Sequence, residues 1–295
     1  MFTHIVARSL RLLPNQEKKS PMVPHQEVKG IKEIMIETSI KDTYISCYYP
    51  LEPSDKKLPA YMNFHGGAFI MNDKEMDDPY CRQLANHIGS VVVNVDYAKA
   101  PEHSFPDPVE QAYELILWLR ANAGSLGIDA ERIAVGGQSS GANIAAALCL
   151  LLKERRAPQP ALQVLCYPLL DFVTPHADKP EPDPRRAKFP QVANFLNKCY
   201  VPDPKKAEHP FASPVCAENV EGVANALIVV GKCDAFNPEA GRYAEKLKKA
   251  GVPVRHEEFK NCSHAFTHLG PKQKAEEAWM LIEEELRNAF GWVRT

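Results

Sequence analysis

No stretch of this 295-residue chain approaches the roughly 18 uninterrupted apolar residues of a membrane-spanning helix, so no span is expected. Charge of one sign is missing too. The formal net charge of −2 offers no general attraction to nucleic acid or to anionic lipid, and neither is expected as a partner. The eight cysteines (47, 81, 149, 166, 199, 216, 233 and 262) form no CxxC and no paired spacing. Several lie inside apolar runs and read as buried free thiols, which argues against a zinc site or a disulfide framework. A reducing cytosol is the natural setting, and a cytoplasmic location is expected. The N-terminal "FTHIVARSLRLLP" is broken by arginines and stopped by Pro14, so it is not read as a signal-peptide core. Internal repeats and low-complexity tracts are absent, as are a P-loop lysine and the spacing of a dinucleotide fingerprint.

What is present is an ordinary globular composition, 45% apolar and 24% charged, and enough length for one large domain or two small ones, with a sizeable core. Phe2, Ile5, Val6, Leu10 and Leu13 recur at helical spacing and predict a short amphipathic helix lying on that domain. Residues 31–38 and 43–49 read as an antiparallel pair of strands. "AYMNF" (60–64) and "SVVVNVDY" (90–97) are compact apolar runs without alternation, as expected of strands covered on both faces. Further strands are read at 132–137, 162–168, 226–231 and 253–259. Helices are read at 77–88, around Val109–Leu119, at 141–153 and 238–250, and along Ala275–Phe290. This alternation means an α/β fold, a mostly parallel, doubly wound sheet with helices on both faces. One segment interrupts it. Residues 172–213 carry eight prolines (175, 180, 182, 184, 190, 202, 204 and 210), which rule out one long helix. Within it "QVANFLNKCY" places Val192, Phe195, Leu196 and Cys199 on one helical face. The segment is read as a small helical cap over the C-terminal edge of the sheet, since an excursion of this size in a compact domain is usually functional.

The strand "RIAVGG" runs into "QSSGAN", so that Gly137-Gln138-Ser139-Ser140-Gly141 forms G-x-S-x-G between a buried strand and a small-residue helix. To expose its hydroxyl at the strand's end, Ser139 must sit on a sharp turn whose flanking positions tolerate only glycine. A glycine-rich turn holding a phosphate is the competing reading, weakened by the missing fingerprints. A serine nucleophile needs a base. Among ten histidines, His264 in "NCSHAFTH" follows a late strand, with His268 four residues on as its rival; His256 lies within a strand and His103 in a proline-bounded loop. Asp234, just beyond the strand "ALIVVG", is the candidate acid, while Glu239 reads as a first-turn helix acid. The order Ser139, Asp234, His264 is that of an α/β-hydrolase triad. A carbonyl attacked by Ser139 becomes an anion that needs donors. The backbone N–H groups of Ser140, Gly66 and Gly67 are the candidate oxyanion hole, the two glycines leaving the "HGG" backbone bare after a strand.

Together HGGAF (65–69), "VDYAKAPEHSFP" (95–106), "GGQSSGAN" (136–143), "YPLLD" (167–171), "GKCDAFNPE" (231–239) and "SHAF" (263–266) resemble the hormone-sensitive-lipase-like α/β-hydrolase carboxylesterases, over most of the chain from about residue 60. The resemblance implies a single α/β-hydrolase domain spanning 1–295, with a cap drawn from about 1–30 and 172–213. It implies an acyl-serine esterase without metal or organic cofactor, acting on a small-molecule ester. The chain departs from the family at Ala68 (usually a third glycine), Gln138 (often acidic), Ser140 (usually alanine) and Ala265 (commonly glycine). The small cap predicts a preference for short acyl chains, with Phe69, Phe195 and Leu196 as candidate pocket residues. Two alternatives stand beside this reading: a formamidase or amidase on the same triad, and a non-catalytic receptor similar to plant gibberellin receptors, in which the triad histidine is lost. His264 argues against the receptor. Quaternary state, a homodimer included, is left open.

Overall fold

The structure, a computed structural model, describes residues 2–11, 21–52, 54–182, 187–188 and 190–291. Leu13, Pro14, Pro184 and parts of both cap segments named above fall outside the described residues.

Eight strands form one sheet: β1 (Gly30–Ile36), β2 (Thr43–Tyr49), β3 (Leu58–Phe64), β4 (Val91–Val95), β5 (Ile128–Gln138), β6 (Gln163–Cys166), β7 (Ala226–Cys233) and β8 (Val254–Ser263), in the order β1-β2-β4-β3-β5-β6-β7-β8. β1 with β2 and β2 with β4 are antiparallel, and every later pairing is parallel. The central strands carry valine, isoleucine and leucine without alternation because both faces are covered; all five residues of β4 are buried. The helices in chain order are α1 (Phe2–Arg11), α2 (Asp78–Ile88), α3 (Asp107–Asn122), α4 (Ser140–Glu154), α5 (Pro190–Tyr200), α6 (Asn237–Lys249), α7 (Phe266–Leu269) and α8 (Lys272–Ala289). α4, apolar nearly all round, is buried along thirteen of its fifteen residues, as a helix against the middle of a sheet must be.

Two strand ends differ from the sequence reading in ways that matter for the site. β8 continues past 259 to Ser263, so the strand itself delivers the chain to His264. β5 starts at Ile128, earlier than 132, because Leu58 pairs with Ile128 ahead of a register shift. α7, a single turn, is too short for any periodic signal and was not foreseen.

All eight cysteines are free, and all but Cys216 and Cys233 are buried. Burial pushes the Cys47 thiol up to about 12, which keeps it unreactive. Among the described residues no helix is long and apolar enough to cross a membrane. α1 is fastened by Arg11, which donates to the carbonyls of Ile70 (2.9 Å) and Ala100 (2.6 Å) and pairs with Glu102 at 2.6 Å.

Candidate active site

The C-terminal edge of the sheet collects the chemistry, because parallel strands there all end on the same side. β5 turns into α4 at Ser139, whose φ of 53° and ψ of −111° are unusual for a residue with a side chain. Such a backbone costs of order 1–3 kcal/mol and persists only where its surroundings enforce it. The enforcement is visible. A Cβ on Gly137 would lie 2.2 Å from the Phe64 carbonyl oxygen, and one on Gly141 would lie 1.9 Å from it. The bare glycines let β3 press against the turn, so Ser139 projects at the start of α4, where unpaired N–H groups and the helix dipole favour negative charge.

β7 ends one residue before Asp234, which is 3% exposed and accepts a hydrogen bond from the Phe236 N–H at 2.9 Å. β8 brings His264 alongside. Its Nδ1 lies 2.9 Å from Asp234 Oδ2 and its Nε2 lies 3.0 Å from Ser139 Oγ. A carboxylate only accepts, so Nδ1 carries the proton and Nε2 is left to accept from the serine hydroxyl. The imidazole plane is held by edge contacts with Tyr167 and Phe236, at centroid separations of 5.1 and 4.9 Å.

The HGG turn follows β3. Gly67 has φ 137°, and a Cβ there would meet the Met71 carbonyl oxygen at 2.2 Å, so only glycine fits. The turn is closed by Ile70 and Met71, whose N–H groups donate to the Gly67 carbonyl at 3.0 and 2.8 Å. His65 Nδ1 lies 2.7 Å from the Gly66 carbonyl, and its ring stacks on Tyr97 at 4.4 Å. Its Nε2 stands 3.7 Å from Asp96. Burial works to raise the Asp96 carboxyl, but His65 and the Lys99 ammonium prevail and hold it below the usual carboxylate range. Thus the carbonyls of Gly66 and Gly67 are occupied, both glycines line the cavity described below, and no loop or turn carbonyl among the described residues takes their N–H groups. Two family departures, Ala68 and Ala265, adopt φ of 52° and 64°, the left-handed region where glycine is usual.

A cavity of about 460 Å³ opens over this edge, lined by Gly66, Gly67, Ser139 and His264 together with Leu169, Phe236 and Leu196. The size falls within the roughly 300–1,000 Å³ of small-molecule sites. Its outer wall is α5, through Val192, Ala193, Leu196 and Asn197. Of the three proposed pocket residues, only Leu196 lines it. Phe69 is 1% exposed and stacks on Tyr200 with 3.5 Å between ring centroids, because the left-handed backbone at 68–69 turns its ring away from the cavity. Phe195 packs half-buried against the core instead of lining the cavity. Among the described residues no cluster of three or more His, Cys, Asp or Glu is placed to hold a metal ion.

Of the rival bases, His268 also borders the cavity but is 1% exposed and engages Asp77 at 3.0 Å, with Thr267 and Tyr167 at its other ring nitrogen. His256 lies in β8 and His103 beside Asp107. Glu239 proved more than a helix-start acid. It is buried, bonded to Lys179 at 2.5 Å and to the Leu170 N–H at 2.6 Å, so it ties the 172–213 insert to the core. Burial raises its carboxyl to about 7 in spite of Lys179. Neither Lys179 nor Asp77 carried a sequence signal, since Glu239 lies 60 positions from Lys179 and His268 lies 191 positions from Asp77.

Residues 61–268 match a family described as having the α/β-hydrolase fold. An arylesterase of Saccharolobus solfataricus is 30% identical over 293 residues, 98% of this chain and 93% of its own. An ethyl acetate hydrolase of Pseudomonas putida is 29% identical over 230 residues, 77% of this chain and 72% of its own. Among solved structures, a thermostable carboxylesterase cloned from a metagenomic library superposes with a TM-score of 0.87 at 28% identity, covering 98% of this chain and 97% of that one. A serine bent out of a strand end, with these relatives along nearly its whole length, means that the chain belongs to the α/β-hydrolase family, in its hormone-sensitive-lipase-like branch of carboxylesterases.

Proposed function

We propose that the chain hydrolyses short-chain carboxylic esters through an acyl intermediate on Ser139. The observation that carries the reading is the His264 imidazole, bridging Ser139 Oγ at 3.0 Å and Asp234 Oδ2 at 2.9 Å. Ser139 Oγ attacks the ester carbonyl while His264 Nε2 accepts its proton. Asp234 holds the imidazole in the required tautomer and stabilises its cation. The new oxyanion is received by the N–H groups of Gly66, Gly67 and Ser140. His264 then protonates the departing alcohol and activates the water that releases the acid.

The described residues within about 1–30 and 172–213 act as the cap. Support comes from the Arg11 bonds to the Ile70 and Ala100 carbonyls, and from α5 as the cavity's outer wall. The short-chain preference is supported by the cavity's modest volume of about 460 Å³ and by the relative named as an ethyl acetate hydrolase. Each buried methylene gains at most about 0.8 kcal/mol, and a small roof stops that gain after a few carbons. The proposed location is cytoplasmic, a reading the free thiols support. The test is kcat/KM for aryl esters from acetate to laurate. A maximum at butyrate or below is expected, and a maximum at decanoate or longer overturns the short-chain reading. Amide turnover exceeding ester turnover would favour the amidase alternative.

A further inference from the structure

In the family this chain resembles, the residue before the nucleophile is often acidic; here it is Gln138. An acid is nevertheless at hand from another part of the chain. Asp77, ahead of α2, is wholly buried. Its Oδ2 accepts from Asn63 Nδ2 at 2.6 Å. With the Gln138 amide turned so that its nitrogen faces Asp77, that nitrogen also donates to the same oxygen, at 2.9 Å. Its Oδ1 accepts from His268 Nε2 at 3.0 Å. That leaves His268 Nδ1 as an acceptor, within 2.9 Å of Thr267 Oγ1 and 3.1 Å of the Tyr167 hydroxyl. The Tyr167 ring is the one whose edge abuts His264. Tyr80 and Trp279 close around the His268 ring at 4.2 and 5.9 Å.

Burying a carboxylate without a full cation is costly, and apolar residues of similar volume would often serve stability as well or better. Its retention here is accounted for by what it grips. One arm holds the neighbour of the nucleophile, and the other holds the tyrosine that flanks the base.

We propose that Asp77 and His268 are positioning residues for ester hydrolysis, a buried anchor that sets Ser139 through Gln138 and His264 through Tyr167. The proposal rests on the esterase reading above. Asp77→Asn and His268→Gln are assayed on 4-nitrophenyl butyrate, with active sites counted by an organophosphate that labels the nucleophilic serine. Misplacement of reacting groups from a distance costs up to about 100-fold, so kcat per labelled site is expected to fall about 10–100-fold with KM little changed. The double variant is expected to fall no further than the weaker single, because the two act as one unit. A merely structural role would lower the melting temperature and the labelled fraction while leaving kcat per labelled site near native. That result overturns the proposal. Should either variant fail to fold, Tyr167→Phe keeps the ring against His264 and removes only the hydroxyl. A folded Tyr167→Phe is expected to lose about threefold or more in kcat, and native kcat there overturns the proposal. Ser139→Ala reports separately on the esterase reading: activity surviving in it sinks that reading whatever the Asp77 variants do.

Discussion

Two histidine–aspartate pairs in this chain have histidines four residues apart, and their difference teaches what makes such a pair reactive. His264 meets Asp234 at 2.9 Å and His268 meets Asp77 at 3.0 Å, so the pairing distance does not separate them. What separates them is the other ring nitrogen. That of His264 faces a serine hydroxyl at the cavity, and 12% of its side chain is exposed. That of His268 is closed in by Thr267 and Tyr167, with 1% of its side chain exposed. A base must reach a proton on the reacting group, and only one of the two does.

The largest expected effect breaks or upholds that contrast directly. Ser139→Ala and His264→Ala should each lose about 10⁴-fold or more in kcat while remaining folded, since such groups act as a unit. Aryl-ester hydrolysis alongside circular dichroism reads this out. His268→Gln should lose no more than about 100-fold; a loss equal to that of His264→Ala would exchange the roles of the two pairs.

A smaller effect is expected at the turn proposed to receive the oxyanion. Gly67→Ala forces a Cβ to 2.2 Å from the Met71 carbonyl oxygen. It should displace one donor and lower kcat by about 10²–10³-fold. Near-native kcat in a folded Gly67→Ala would remove the Gly67 N–H from the oxyanion hole.

Lys179–Glu239 extends the comparison to an acid paired with a true cation. The Glu239 carboxyl is raised to about 7 from an ordinary 4.5. A proton taken up there on folding stabilises the protein below the unfolded value, and that contribution fades as pH climbs through about 7. Lys179→Met leaves the carboxylate alone and pushes it further up. The variant should therefore be about 3–5 kcal/mol less stable than native at pH 8, with a smaller deficit at pH 5, where Glu239 takes up its proton. Urea denaturation at both pH values measures this, and a deficit that grows on acidification would show the pair to be misassigned.

The smallest effect concerns the cavity's roof. Leu196→Ala removes part of the α5 wall and should raise kcat/KM for octanoate relative to butyrate by about threefold to tenfold, by opening room that each added methylene can use. Phe195→Ala, away from the lining, should leave that ratio unchanged.

Much of this was legible from residue order alone. Unalternating valine runs announced a covered parallel sheet. G-x-S-x-G between a buried strand and a small-residue helix announced the sharp turn at Ser139, and the positions of Asp234 and His264 just beyond strand ends set them at the same edge. Periodicity and glycine placement are local properties, and local properties survive in a sequence. The pocket was less legible. Helical spacing put Phe195 and Leu196 on one face, but a face of α5 meets both core and cavity, and the left-handed backbone at Ala68 and Phe69 sent the Phe69 ring toward Tyr200.

The sequence by itself therefore determined the strand-helix alternation, the sharp turn at Ser139 with its glycines, and the placing of Asp234 and His264 just beyond strand ends, because short-range sterics and hydrophobic period dictate them. Only the tertiary structure decided that His264 and not His268 meets the serine, that Asp77 lies beside Gln138, and that Lys179 neutralises Glu239. Those outcomes depend on groups 60 to 191 positions apart being brought together by the packing of the sheet edge, which leaves no local trace for residue order to carry.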